Sequence, residues 1–83
     1  MGYKEQWAVS LGRIESFFRE QPDVEALPEG FRFGECRIRL TALPDRSLGP
    51  VKVPYTLLEM TGDGEDTETI HRRFFLRFIS AGG

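Results

Sequence analysis

The predicted fold depends most on residues 31–43, FRFGECRIRLTAL, a run rich in aromatic and β-branched side chains. Side chains of these two kinds favour strands because they pack well on a pleated surface. Two further runs of similar texture follow at residues 51–61 and 67–79. The connections between the runs are rich in glycine, proline and aspartate and are too short for a crossover helix. The sequence therefore predicts a three-stranded antiparallel meander over these three runs.

The residues before the meander show the spacing of an amphipathic helix. Apolar side chains recur every three or four positions between Tyr3 and Phe18, which is the period of one helix face. Pro22 ends this helix, because the residue before a proline avoids the helical region. A competing interpretation places two strands around a turn at Gly12. The helical pattern explains more residues, and we therefore predict a helix at about residues 3–20.

Together these elements predict an α+β domain over residues 1–83. An N-terminal amphipathic helix packs on one face of a three-stranded antiparallel β-meander, in the order α-β-β-β. A chain of 83 residues has the length of one domain with a small core. Pro54 lies inside the second strand, where it cannot donate a hydrogen bond, and we expect a bulge or local splaying of the strands there. Residues 80–83 are predicted to be a frayed tail.

Alternation along the strands predicts two unlike faces of this sheet. With Leu43 opposite Val51 and Thr61 opposite Thr67, one face is nearly all apolar and receives the helix. Its members are Cys36, Ile38, Leu40, Ala42, Thr56, Leu58, Met60, Ile70, Phe74, Leu76 and Phe78. The other face supplies the candidate binding residues, which are Arg37, Arg39, Tyr55, Leu57, Arg73, Phe75 and Arg77. A slip of one residue in either connection would exchange the two faces.

The arginine and aromatic side chains of the candidate face suit several kinds of partner. They fit an acidic protein, and the apolar members Val53, Tyr55, Leu57 and Phe75 fit a second copy of the chain. They also fit single-stranded nucleic acid, whose phosphates pair with cations and whose bases stack on rings. The plain alternative is a solvated face, with arginine stems covering apolar neighbours. We predict a non-enzymatic interaction or adaptor domain that binds a protein partner or forms a weak homodimer, with nucleic-acid binding as the alternative.

The sequence supplies no recognisable catalytic or metal-binding set. Cys36 and His71 fall on opposite faces of the predicted sheet, so the thiol lacks the nearby base that a nucleophile needs. One cysteine and one histidine exclude a disulfide framework and a cysteine-cluster zinc site. The acidic stretch 63–68 lacks the ligand spacing of an EF-hand loop. We therefore predict no enzyme activity, no cofactor and no metal.

Composition bounds the setting in which the chain works. A net charge of −2 excludes a globally basic nucleic-acid binder. No apolar run approaches the ~18–20 residues of a membrane helix, and the N-terminal residues lack the apolar core of an export signal. We predict a soluble cytoplasmic domain without membrane contact.

The C-terminal pair Gly82 and Gly83 resembles the tail of ubiquitin-like sulfur carriers and modifiers. This resemblance implies a fold that begins with a hairpin and places its helix second. It therefore requires residues 7–18 to form two strands instead of a helix. A ubiquitin-like carrier is a remote alternative to an interaction domain.

Overall fold

A computed structural model of the chain describes residues 2–62 and 64–81. Within this part of the chain it contains seven elements of secondary structure. In chain order they are β1 (Gly2–Trp7), α1 (Leu11–Glu20), β2 (Glu25–Leu27), β3 (Gly30–Phe33), β4 (Cys36–Leu48), β5 (Val51–Thr61) and α2 (Glu65–Ala81).

The strands form one antiparallel sheet in the order β1-β5-β4-β3-β2. Both helices contribute to the same buried cluster as alternate residues of β3, β4 and β5, so they cover one face of the sheet. We call this face the inner face, and the face turned away from the helices the outer face. The predicted arrangement of one N-terminal helix on a three-stranded meander is therefore wrong.

The first error concerns residues 2–7, which form an edge strand rather than the start of the helix. Tyr3 and Trp7 are four positions apart, and this spacing fits one face of a helix and one face of a strand equally well. Pairing with β5 along the whole segment decides for the strand, because it gives these backbone groups hydrogen-bond partners. The helix itself begins at Leu11 and ends at Glu20, where the sequence predicted its end.

The second error concerns residues 67–79, which lie in α2 rather than in a third strand of a meander. Ile70, Phe74 and Phe78 are buried at helical spacing, all on the side that packs against the sheet. Three carboxylates occupy the first turn of α2, where they stabilise the positive end of the helix dipole. The sequence carried this helix signal, but the β-branched and aromatic side chains obscured it.

Residues 31–43 divide between two strands because a tight turn at Gly34 and Glu35 interrupts them. Gly34 has a φ of 57°, and a Cβ atom there would lie 2.2 Å from the Asp66 carboxylate. That carboxylate accepts a hydrogen bond of 2.9 Å from the Glu35 backbone N–H, which ties the turn to the start of α2. The predicted strand at residues 51–61 is confirmed at both ends as β5.

The register of β4 against β5 differs from the predicted one, but the faces do not. Leu43 lies opposite Tyr55 rather than opposite Val51, a difference of four positions. Because side chains alternate with a period of two, an even shift leaves each one on its predicted face. Pairing is irregular between Leu43 and Arg46, opposite Pro54, and this confirms the predicted bulge.

The β4–β5 hairpin extends into an arm, which we define as residues 44–54. β4 continues to Leu48, so most of the predicted connection is strand. Every residue from 44 to 52 is exposed. The molecule is accordingly elongated, with principal extents of 41, 27 and 24 Å.

The core lies between the inner face and the two helices. Its buried apolar members are Ile14, Phe17, Phe18, Phe31, Cys36, Ile38, Leu58, Met60, Ile70, Phe74 and Phe78. From the predicted apolar face, the members on β4 and β5 lie on the inner face, although Ala42 is exposed there. Leu76 is 60% exposed, because a helix places it on a different side from Phe74 and Phe78.

Candidate binding surface

The seven predicted site residues separate into two groups on different layers of the molecule. Arg37, Arg39, Tyr55 and Leu57 project from β4 and β5 on the outer face. Arg73, Phe75 and Arg77 belong to α2, which packs against the inner face. The structure therefore brings together only the candidates on β4 and β5, because the segment predicted as the third strand is the helix α2.

Arg73 has a structural role between α2 and the segment that follows α1. Its guanidinium donates hydrogen bonds of 2.9 and 3.0 Å to the two carboxylate oxygens of Asp23, and one of 3.4 Å to Gln21 Oε1. The hydrogen bonds from Arg73 hold the pKa of the Asp23 carboxyl below its usual value, and they raise the pKa of Arg73. Arg73 is thus occupied within the fold.

The other two candidates on α2 are more accessible but do not form a site with Arg37 and Arg39. Phe75 is 40% exposed, and its ring meets the edge of the Trp7 indole at a centroid distance of 5.8 Å. Arg77 is exposed on the same helix. These side chains face away from the outer face of the sheet.

Three cations that the sequence analysis missed join Arg37 and Arg39 on the outer face. Lys4 comes from β1, Arg32 from β3 and Arg46 from the arm. Lys4 lies between Tyr3 and Glu5, which are on the inner face, so the alternation of side chains along the strand places Lys4 on the outer face. This alternation was the sequence signal for its position.

Two arginines lie directly opposite each other on the outer face. Arg32 pairs with Arg37 across β3 and β4, and like charges in such a position destabilise a sheet. Arg32 forms an ion pair with Glu25 on β2. Arg37 has no ion-pair partner within residues 2–62 and 64–81. Arg37 is thus exposed, opposite a like charge and without an ion-pair partner there, which is a local conflict of the kind that functional sites often carry.

Positive charge is concentrated on the outer face. Its five cations are Lys4, Arg32, Arg37, Arg39 and Arg46, whereas its carboxylates in the paired strands are Glu25 and Glu59. Glu59 lies between Arg39 and Lys4 in the same row of the sheet. The chain as a whole is negative, with a net charge of −2. The fold therefore segregates positive charge onto the side that the helices leave open.

The aromatic ring on this face is already covered on one side. The Arg46 guanidinium lies 4.3 Å from the centroid of the Tyr55 ring, a cation–π distance. The same guanidinium donates a hydrogen bond of 2.7 Å to Gln6 Oε1 on β1. Because Phe75 is on the other layer, the outer face does not present the row of open rings that stacks successive bases.

A groove of about 230 Å³ opens on the outer face beside Gly30. Its wall includes Leu27, Arg37, Arg39 and Glu59. A Cβ atom on Gly30 would lie 2.1 Å from the Ile38 carbonyl oxygen, so the close approach of β3 to β4 requires glycine at this position. The groove thus combines the apolar Leu27 with two guanidinium groups and the carboxylates of Glu29 and Glu59.

Cys36 is a buried member of the core. Its side chain is fully buried, and burial raises the pKa of the thiol. A raised pKa reduces the thiolate fraction on which nucleophilic reactivity depends. His71 contacts residues of β1 instead. The prediction that Cys36 and His71 lie on opposite faces of a sheet is wrong, because His71 belongs to α2, which packs on the same side of the sheet as Cys36.

The polar cluster around His71 fastens the edge strand β1 to α2. His71 Nε2 lies 3.0 Å from Glu5 Oε1, and its ring stacks on Tyr3 at a centroid distance of 3.6 Å. The Tyr3 hydroxyl donates hydrogen bonds to the Glu68 carboxylate, the shorter being 2.6 Å, and these raise the pKa of Tyr3. Trp7 Nε1 donates a hydrogen bond of 3.0 Å to Glu5. The contacts of His71 with Glu5 and of Glu68 with Tyr3 thus hold α2 to β1.

The described residues offer no group of three or more histidine, cysteine, aspartate and glutamate side chains arranged to hold a metal ion. Neither described helix is long and apolar enough to cross a membrane. Residues 11–20 form a helix, so the hairpin that the ubiquitin-like alternative requires at residues 7–18 is not formed. Gly82 and Gly83 lie outside the described residues, and α2 includes Ser80 and Ala81 of the predicted tail.

Comparison of the chain with protein-family models, with curated proteins and with solved structures found no match.

Proposed function

We propose that this chain is a non-enzymatic cytoplasmic interaction domain that binds an acidic segment of a partner protein through the outer face of its sheet. The observation that carries the proposal is the segregation of charge, with five cations on one open face of a chain whose net charge is −2. Complementary charge guides association and favours a partner of opposite sign. Arg37 and Arg39 are the central contacts, because both are exposed and neither has an ion-pair partner in the described part of the chain.

An acidic polypeptide fits this face better than single-stranded nucleic acid does. Phosphate and carboxylate both pair with arginine, so the cations alone do not discriminate. Base stacking does discriminate, and the Tyr55 ring on this face carries the Arg46 guanidinium at 4.3 Å. The acidic-protein proposal needs no free ring.

Formation of a weak homodimer remains a prediction, but the surface available for it differs from the one that the sequence predicted. Val53, Tyr55 and Leu57 are half-buried on the outer face, and Phe75 lies on α2, so these residues do not form one apolar patch. The most exposed large apolar side chains are instead Leu48 and Val51 on the arm and Leu76 and Ile79 on α2. Sedimentation of the wild type against Ile79→Lys measures whether α2 supports self-association.

A binding titration with a charge-matched control tests the acidic-partner proposal. The probe is a fluorescein-labelled flexible peptide of alternating glutamate and glycine, and the readout is fluorescence anisotropy at low ionic strength and at about 0.15 M salt. We expect weak binding that salt reduces. The double variant Arg37→Glu, Arg39→Glu is expected to lower the affinity at least about tenfold.

The control variant is Arg72→Glu, Arg77→Glu, which makes the same change of net charge on the exposed side of α2. We expect it to retain most of the affinity. Equal losses in the two variants, or no binding at low ionic strength, would overturn the proposal. Tighter binding to a fluorescein-labelled oligouridine than to the acidic peptide would replace it with the nucleic-acid alternative.

A further inference from the structure

One stretch of β4 has a neighbouring strand on one side only. β3 pairs with β4 from Phe33 opposite Cys36 to Phe31 opposite Ile38, and the pairing ends there. β5 continues beside β4 on the other side beyond this point. Within residues 2–62 and 64–81 no strand is paired with residues 39–43 on the β3 side, although Gly30 of β3 lies close to Arg39.

The free side of this stretch presents backbone groups that can accept another strand. In an antiparallel pair, alternate residues direct their N–H and C=O groups away from the partner strand. For residues 39–43 these groups have no hydrogen-bond partner among the described side chains and loops. An unpaired edge of this kind is a template for strand addition.

The free edge is bounded at both ends. At one end stands the turn of the β2–β3 hairpin at residues 28–29. At the other end Pro44 lies in the bulge, and proline has no N–H to offer an added strand. Between them, residues 39–43 accommodate an extended segment of about five residues, or about 17 Å of strand.

Grooves flank this edge on both sides of the sheet. The outer groove beside Gly30 includes Arg37 and Arg39. A second groove, also of about 230 Å³, lies on the helix side, where its lining includes Arg19 of α1, Phe31 and Leu40. Successive side chains of an added strand point alternately to these two sides of the sheet, and its end near the β2–β3 turn lies beside the grooves.

The chemistry of the two grooves differs, and this difference specifies the occupant. The outer groove places the guanidinium groups of Arg37 and Arg39 beside the edge, and Glu29 and Glu59 also line it. Carboxylates are favoured there because the outer face as a whole carries five cations against two carboxylates in its paired strands. On the helix side, the groove itself is lined mainly by polar groups, including those of Glu15 and Arg19. Along the edge, the half-buried Leu40 and the exposed Ala42 point to this side of the sheet, and these two side chains favour apolar neighbours. We infer that residues 39–43 bind the acidic partner segment of the proposed function as an added strand, in which acidic and apolar side chains alternate.

This inference rests on the proposed function, and peptides that differ only in their backbone separate the two. The probe is a fluorescein-labelled heptapeptide of alternating glutamate and valine. Two matched peptides carry N-methyl groups on alternate amides, one in each phase, so that their side chains and charge are unchanged. Hydrogen exchange of the protein is measured with and without the unmethylated peptide.

We expect the alternating peptide to bind at least about tenfold more tightly than the glutamate–glycine peptide. Methylation in one phase should remove this gain, because it blocks the backbone hydrogen bonds to β4. Exchange should slow at residues 39–43. The folded control Arg77→Glu should leave the alternating peptide's affinity nearly unchanged, whereas Arg39→Glu should reduce it.

The outcomes separate strand addition from the acidic-partner proposal on which it rests. Binding that depends on Arg39 but is insensitive to methylation in both phases overturns strand addition and leaves the acidic-partner proposal standing. Slowed exchange elsewhere in the sheet, with none at residues 39–43, also overturns strand addition. Failure of both the alternating and the glutamate–glycine peptides to bind overturns the proposed function as well.

Discussion

The inner and outer faces of the sheet come from the same strands but depend on different kinds of interaction. Leu58 on the inner face is fully buried among the side chains of both helices, whereas its neighbour Leu57 points the other way and is only half-buried. The inner face is apolar, and the outer face carries Arg37 and Arg39 without compensating ion pairs in the described chain. This difference indicates that the inner face stabilises the fold, and the outer face is the surface on which the proposed function depends.

The adjacent leucines of β5 provide the sharpest test of this comparison. Leu58→Ala is expected to lower the free energy of unfolding by about 2–5 kcal/mol, because it removes buried contacts and leaves a cavity. That is a large share of the total of about 4–12 kcal/mol typical of a chain this long. Leu57→Ala should cost only about 1 kcal/mol. Urea denaturation measures both, and equal losses would mean that the two faces contribute alike to stability.

Gly30 tests whether the outer groove depends on the close approach of β3 and β4. Gly30→Ala is expected to destabilise the fold by about 1–3 kcal/mol, because the new methyl group meets the Ile38 carbonyl oxygen. The matched control is Gly12→Ala in α1, where nothing lies within 4 Å of the added Cβ. This control should stabilise the protein by about 0.5–1 kcal/mol through helix propensity. Thermal unfolding of both variants should move in opposite directions, and a neutral Gly30→Ala would contradict the close approach.

The Asp23–Arg73 pair gives the helix-covered side of the molecule a pH dependence. Hydrogen bonding to Arg73 lowers the pKa of Asp23, so the pair stabilises the folded state above the ordinary aspartate pKa of about 4. This contribution is lost as the pH falls through the lowered pKa. Asp23→Asn should therefore be slightly less stable than the wild type at neutral pH, and the difference should shrink below about pH 4.

The control for this pH series is Asp45→Asn on the arm, because Asp45 has no ion-pair partner among the described residues. Its stability should follow that of the wild type across the series. A wild-type advantage over Asp23→Asn that grows toward acid pH would contradict the assigned direction.

The smallest expected effect is on the outer face. Arg37→Gln removes one of two opposed like charges, so it should change the free energy of unfolding by no more than about 0.5 kcal/mol, in the stabilising direction. Added salt should shrink this gain by screening the repulsion. Arg32→Gln is the control with the opposite sign, because it gives up the ion pair with Glu25. A large loss of stability in Arg37→Gln would make this arginine part of the fold rather than of a binding surface.

The sequence by itself determined the parts of the molecule in which local pattern and tertiary structure agree. β5 has the predicted bounds, the bulge opposite Pro54 is present, and the side chains of β4 and β5 lie on their predicted faces. The faces survived a register difference of four positions because alternation has a period of two. Alternation along β4 was therefore enough to place Arg37 and Arg39 together on one face.

Only the tertiary structure determined the secondary structure near the two ends of the chain. It thereby also determined which residues make up the candidate binding surface. Tyr3 and Trp7, like Phe74 and Phe78, are four positions apart, a spacing that a strand and a helix both accommodate. Pairing with β5 made the first segment a strand, and burial at helical spacing made the second a helix. As a result, Lys4 lies on the outer face and Arg73 does not. The physical reason is that short segments receive most of their stability from the elements they pack against. Those elements cannot be identified from a single sequence.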